Sequence, residues 1–185
     1  MALVNRLLAA LGLVAALVVV AVPAASAELT STQRDTLAAR IESFDAAMKA
    51  SDMAVVLGVV PPKMLDKIAV SSSVTTAQLI AATQEQIDEA LKSMTIVSFG
   101  MALENAEIAA LADGSPYALI PTETVIDMGE GGKYRARSST LGLLDGETWY
   151  LVRIEDEQQV ALLKEIYPAF ADVVFPTGSM EPVAE

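Results

Sequence analysis

Halfway along the chain the hydrophobic period changes, and this change restricts the fold more than any other feature. Up to Met94 the apolar residues recur every three or four positions, as on one face of an α-helix. Leu37, Ile41, Phe44 and Met48 follow spacings of four, three and four. Thr32 is the expected N-cap of that helix, with Asp35 in a loose capping box. Asp52 is expected to cap a short apolar helix, Met53–Val60, which Pro61-Pro62 ends. Pro62 can open the next turn, Lys63–Val70. Beyond the Ser71-Ser72-Ser73 linker, Thr75 or Thr76 caps the most regular helical pattern. There Ile80, Thr83, Ile87, Leu91 and Met94 share one face, and Gln84, Glu85, Asp88 and Lys92 face water.

After Met94 the pattern is that of strands. Thr95–Leu103 reads as a strand, and Glu104–Ala112 fits helix by composition but strand by position. Asp113-Gly114-Ser115 is a turn. Tyr117–Asp127 and Lys133–Leu144 are strands joined by the glycine-rich loop Gly129-Glu130-Gly131-Gly132. Asp145-Gly146 is a hairpin signal leading into Thr148–Ile154. Gln158–Ala171 closes with a helix carrying Leu162, Leu163, Ile166 and Phe170. Helices, then an antiparallel meander, then a helix define an α+β fold, with N-terminal helices packed on a curved antiparallel sheet and a C-terminal helix. A two-residue loop at Asp145-Gly146 would pair Leu144 with Glu147, Gly142 with Trp149 and Leu141 with Tyr150. Strand alternation then puts Tyr117, Leu119, Glu123, Arg137, Leu141, Tyr150 and Val152 on one face. Ile120, Thr122, Ser138, Trp149 and Leu151 take the other. The face with Tyr117 forms a contiguous apolar patch and is expected to meet both helices, Leu37–Met48 and Ile80–Met94.

The N-terminus reads as a cleavable secretory signal peptide. Arg6 precedes the apolar run Leu7–Val22, too short to span a bilayer at the roughly 20 residues required, and Ala25-Ser26-Ala27 matches the A-x-A cleavage pattern. The expected cut lies between Ala27 and Glu28, which places the protein in the periplasm or outside the cell. Residues 1–27 are thus the leader, 28–175 a single domain and 176–185 a loose tail. The chain carries 12 Lys+Arg against 24 Asp+Glu, a net charge of −12. Loss of Arg6 with the leader makes it one unit more negative. Such a chain repels phosphate backbones and anionic membrane surfaces, so neither nucleic acid nor membrane is an expected partner.

With no Cys and no His, a thiol nucleophile, a Ser-His-Asp triad and the usual zinc sites are unavailable. Acid–base chemistry would fall to Asp, Glu, Tyr or Lys. No calcium-loop motif is present, and no residue set requires a metal or a cofactor.

Two stretches carry a family resemblance: Ser115-Pro116-Tyr117-Ala118-Leu119-Ile120-Pro121, and Leu141-Gly142-Leu143-Leu144-Asp145-Gly146-Glu147-Thr148-Trp149-Tyr150. With the order of a long helix, short helices and a curved sheet, the chain resembles exported members of the nuclear-transport-factor-like, cystatin-like cone superfamily. The resemblance implies a sheet wrapped around helices to leave a cavity. It also implies a choice of activities, because the superfamily holds ketosteroid isomerases, dehydratases and non-catalytic binding domains.

Candidate ligand-binding residues are Tyr117, Glu123, Arg137 and Tyr150. Glu123 opposite Arg137 is either a polar group at a cavity mouth or a cross-strand surface ion pair. Of Trp149 and Tyr150, one could wall a pocket; alternatively one packs in the core and the other covers the sheet edge. The glycine-rich loop lacks the following helix of a phosphate site and reads as a hairpin loop. Met48, Met53, Met64, Met94 and Met101 read as core filler. The expected function is binding of a small apolar ligand or a protein partner without catalysis, with self-association compatible. The alternative is a cofactor-independent isomerase or lyase using a cavity carboxylate and a Tyr. The discriminating feature is a carboxylate deep in a closed cavity, within reach of a tyrosine hydroxyl.

Overall fold

A computed structural model of the protein describes residues 27–50, 52–154 and 156–183. The predicted leader lies outside the described residues except for Ala27.

Four helices lead. Helix α1 (Ser31–Ala50) is capped by Thr30 rather than by Thr32: the Thr30 hydroxyl accepts from the Gln33 amide at 3.2 Å, and the Thr30 amide donates to Gln33 Oε1 at 3.0 Å. Gln33 closes a capping box here, whereas Asp35 sits one turn too far along to reach Thr30. Asp52 caps α2 (Met53–Leu57) as expected, accepting from the Val55 amide. Pro62 opens α3 (Pro62–Ser71), and Thr75 caps α4 (Thr76–Ala90) in a full capping box with Gln78.

The second half forms β1 (Thr95–Met101), β2 (Glu107–Ala110), β3 (Pro116–Asp127), β4 (Lys133–Asp145) and β5 (Thr148–Ile154), then α5 (Glu157–Ile166) and β6 (Ser179–Pro182). The ambiguous stretch 104–112 is divided between a 3-10 turn, Leu103–Asn105, and β2. The strands make one curled antiparallel sheet. β1 and β2 both pair with one edge of β3, and β5 and β6 both pair with the far edge of β4. Pro121 lies inside β3, where a missing N–H would ordinarily break a ladder. It falls in the gap between the two partners: β1 pairs with Thr122 onward and β2 with residues up to Leu119.

The β4–β5 hairpin corrects the predicted register. Asp145 pairs with Thr148, Leu144 with Trp149, Gly142 with Leu151 and Leu141 with Val152. The turn residues are therefore Gly146 and Glu147, with Gly146 at φ +65° in the first turn position that a II′ hairpin reserves for glycine. Asp145 stays in the ladder while its carboxylate is held by Lys63 and Tyr167. The slip is two residues, so every side chain keeps its predicted face.

The expectation that both long helices cover the Tyr117 face is also corrected: the sheet is covered on both sides. Tyr117, Leu119, Leu141, Leu143, Val152 and Ile154 pack with Met64 of α3, Leu163 of α5 and Phe170. On the opposite face Ala118, Ile120, Trp149 and Leu151 pack with Leu37 and Ile41 of α1. The physical reason is the run Tyr117-Ala118-Leu119-Ile120, buried at every position, which supplies apolar surface to both sides at once. Helix α4 has no fully buried residue and packs on α3 and α2 rather than on the sheet.

Residues 176–185 are not simply a loose tail. β6 pairs with β4 from Tyr134 to Arg137, and Glu181 meets the Arg137 guanidinium. Along the outer edge of β5, the Leu151 amide donates to the Val59 carbonyl at 2.9 Å, and Arg40 Nε donates to the Trp149 carbonyl at 3.0 Å. These bonds occupy edge groups that could otherwise recruit another strand. No helix among the described residues is long and apolar enough to cross a membrane.

Candidate functional site

The four residues singled out in the sequence occupy two separate places. Tyr117, Leu143 and Tyr150 form one row across β3, β4 and β5. Tyr117 is 3% exposed and meets Phe170 edge-on at 5.5 Å between ring centres. Burial, aided by the Glu107 charge, pushes its hydroxyl above the usual tyrosine range. Tyr150 is half-buried on the same core, with the Arg40 guanidinium 5.8 Å from its ring centre.

Glu123 and Arg137 pair farther along the same face, 3.1 Å apart. Arg135 Nε lies 3.2 Å from the other Glu123 oxygen, close enough for an ion pair but without hydrogen-bond geometry. All three side chains are about a third to a half exposed, so solvent screens the network. Glu123 and Arg137 border a hollow of about 410 Å³ beside Met101 and Pro121.

A larger cavity, about 570 Å³, lies where the C-terminal end of α1 approaches α2, the end of α4 and β1. Its apolar wall includes Met48, Met53, Leu91, Met94, Ile96 and Phe99. Phe99 is held by Phe44 at 5.5 Å between ring centres. A register shift between Ile96 and Ser98 interrupts β1 along this wall, and Val97, 51% exposed, lines the cavity there. Four polar residues also line the space: Asp45, Lys49, Thr95 and Ser98. Asp45 Oδ1 is buried without a hydrogen-bond partner. Desolvation raises the Asp45 carboxyl above its usual range, and the Lys49 charge opposes that only in part. Thr124, which pairs with Phe99 across β1 and β3, also keeps a buried hydroxyl unpartnered.

None of Tyr117, Glu123, Arg137 or Tyr150 lines this larger cavity. Of the methionines read as core filler, Met64 and Met53 are buried, though Met53 also walls the cavity, as do Met48 and Met94. Met48 in the last turn of α1, Met53 at the start of α2 and Met94 just beyond α4 were the available signal. Apolar stripes running to the last turn leave side chains that no following turn covers. Asp45, flanked by Phe44 and Met48 on the apolar side of α1, was the missed polar residue.

The carboxylate that does meet a tyrosine lies elsewhere. Asp145 Oδ2 accepts from the Tyr167 hydroxyl at 3.1 Å and from Lys63 Nζ at 2.6 Å. The Lys63 hydrogen bond foremost holds the Asp145 carboxyl below its usual range, while burial and then Asp145 push Tyr167 up. This cluster ties the β4–β5 hairpin to α3 and to the end of α5. Its carboxyl, ionised and with a lowered pKa, is neither a poised base nor a carboxylic acid at neutral pH.

The raised Asp45 pKa has a stability consequence with a definite sign. A carboxyl whose folded pKa lies above its unfolded value costs stability once it ionises. That cost fades as pH falls to the ordinary carboxylate range. Asp45→Asn is therefore expected to stabilise the protein at pH 7, by up to about 1 kcal/mol, the lower end of an unsatisfied buried polar group. The gain should vanish by about pH 3, below the unperturbed pKa of about 3.9. Urea midpoints at both pH values check it; equal gains at both would show that Asp45 is fully solvated.

Searches against protein-family models, curated proteins and solved structures find no significant match to this chain.

Proposed function

We propose that the protein is an exported, non-catalytic binding domain that takes a small apolar molecule into the cavity between α1, α2, α4 and β1. The observation that carries this reading is the cavity. Its volume of about 570 Å³ falls within the roughly 300–1,000 Å³ of small-molecule sites, and its wall is mainly apolar, with Asp45, Lys49, Thr95 and Ser98 as the polar groups. Methionine is suited to such a wall, because its unbranched, polarisable side chain adapts to an apolar ligand. The order of elements, the curled sheet and a helix–sheet cavity support a nuclear-transport-factor-like cone as the fold family.

Export rests on the apolar run Leu7–Val22 and on Ala25-Ser26-Ala27. Protein recovered from the producing cell is expected to begin at Glu28, and its intact mass checks this. A mass that retains residues 1–27 would contradict cleavage.

The isomerase or lyase alternative draws on Asp45, a carboxylate at a cavity with a buried oxygen. No tyrosine lines that cavity, and the tyrosine-bonded Asp145 is held ionised by Lys63. The binding reading is favoured on that ground. A protein partner is the second reading, supported by Val97, an exposed apolar residue of β1 on the same wall.

The test is titration of the purified protein with Nile red, an uncharged apolar dye, read by fluorescence and by thermal shift. A site-specific ligand at about 100 times its Kd raises stability by about 2.7 kcal/mol. Leu91→Trp, which fills the cavity, is expected to abolish both signals while the circular dichroism spectrum is kept. Dye binding undiminished in Leu91→Trp would place the site elsewhere.

A further inference from the structure

The polar content of the large cavity is unequal, and the inequality carries information about the ligand. Asp45 has a buried oxygen without a partner, one helical turn from Lys49, yet the two form no ion pair. The Lys49 side chain is exposed, and its ammonium can be served by water. A buried carboxylate oxygen, in contrast, is stabilised only by a donor that comes to it. Most of the surrounding wall is apolar, with Thr95 and Ser98 as its uncharged polar members, so a counter-charge at the buried oxygen is worth more than at the open surface. The chain as a whole is strongly acidic, which draws cations toward it and repels anions.

We infer that the ligand of this cavity is an amphiphilic amine, its apolar body packed on Met48, Met53, Leu91, Met94 and Phe99 and its protonated nitrogen on the Asp45 carboxylate. The inference rests on the cavity being the ligand site. The ammonium donates to the orphaned oxygen, and the apolar body displaces water from the methionine wall. No bond is made or broken, and Asp45 acts as a specificity-determining residue. An apolar carboxylate of equal length would be repelled by Asp45 and could reach only the solvated Lys49. An apolar alcohol would satisfy the oxygen with a weaker, uncharged donor.

Competition against bound Nile red tests this with three probes of equal chain length: octylammonium, octanol and octanoate. In the wild-type protein octylammonium is expected to displace the dye about tenfold more tightly than either of the others, the gain of one hydrogen bond to a charged group. That preference should shrink as salt is raised, a readout that needs no variant. In Asp45→Asn the three probes should fall within about twofold of one another. Octanoate competing best would assign ligand choice to Lys49 and overturn the inference, as would an ammonium preference that survives Asp45→Asn. If Nile red and all three probes fail to bind, the cavity reading falls and the inference with it. Binding of the dye with no preference among probes overturns the inference alone.

Discussion

Tyr117→Ala is expected to destabilise the protein by about 3–5 kcal/mol, the range for removing a large aromatic from a packed core. Tyr117 sits in β3 between Ala109 of β2 and Leu143 of β4. It is 3% exposed, and Phe170 packs edge-on against it. Truncation removes the ring from the core that joins the sheet to α3 and α5 and deletes its edge-on contact with Phe170, worth a further about 0.5–1.5 kcal/mol where such pairs are well placed, leaving Phe170 its ring contact with Phe175. Chemical denaturation should show a lower midpoint with an unchanged slope. A cost below about 1 kcal/mol, the range of surface changes, would mean that Tyr117 is not core.

The opposite face makes an equally large prediction. Leu37 of α1 is fully buried, and a Cβ added to Gly142 would lie 3.3 Å from Leu37 Cδ1 and 3.5 Å from the Ala118 Cβ. Gly142 is thus small because α1 presses on β4 at that point. Leu37→Ala should cost about 2–5 kcal/mol, and Gly142→Val about 1–3 kcal/mol by overpacking. Combined, they should cost less than their sum, because the shortened residue 37 makes room for the valine, and coupled neighbours are not additive. Strict additivity would show that α1 does not rest on Gly142, and the two-sided core would fail.

What the sequence disclosed, and what it hid, follows from the range of the forces involved. Local signals were readable. Asp52 and Thr75 cap their helices, and the bounds of the glycine-rich loop between Asp127 and Lys133 gave both the β3–β4 register and the Glu123–Arg137 pair. Long-range choices were less so. The stripe on Leu37, Ile41 and Phe44 shows that α1 must bury a face, but not which side of the sheet receives it. The continuous run Tyr117-Ala118-Leu119-Ile120 was the clue that both sides need cover. The hairpin turn moved by one position because Asp145 is held by Lys63 and Tyr167, residues remote in sequence. β6 has no strand propensity of its own and is placed by its ladder to β4 and by Glu181 on Arg137. The cavity was hidden for a related reason. An apolar stripe looks the same whether its last turn meets a core or a void, so Met48 and Met94 could not be told from Met64 by spacing alone.

The account stands or falls on where an apolar ligand enters. The most direct measurement is a nuclear magnetic resonance titration of protein with isotopically labelled methionine methyl groups, following each signal as Nile red is added. Met48, Met53 and Met94 line the large cavity, Met64 lies in the core beneath the opposite sheet face, and Met101 borders the smaller hollow. Shifts confined to Met48, Met53 and Met94 are predicted. Shifts centred on Met101 or Met64, with those three unmoved, would contradict it.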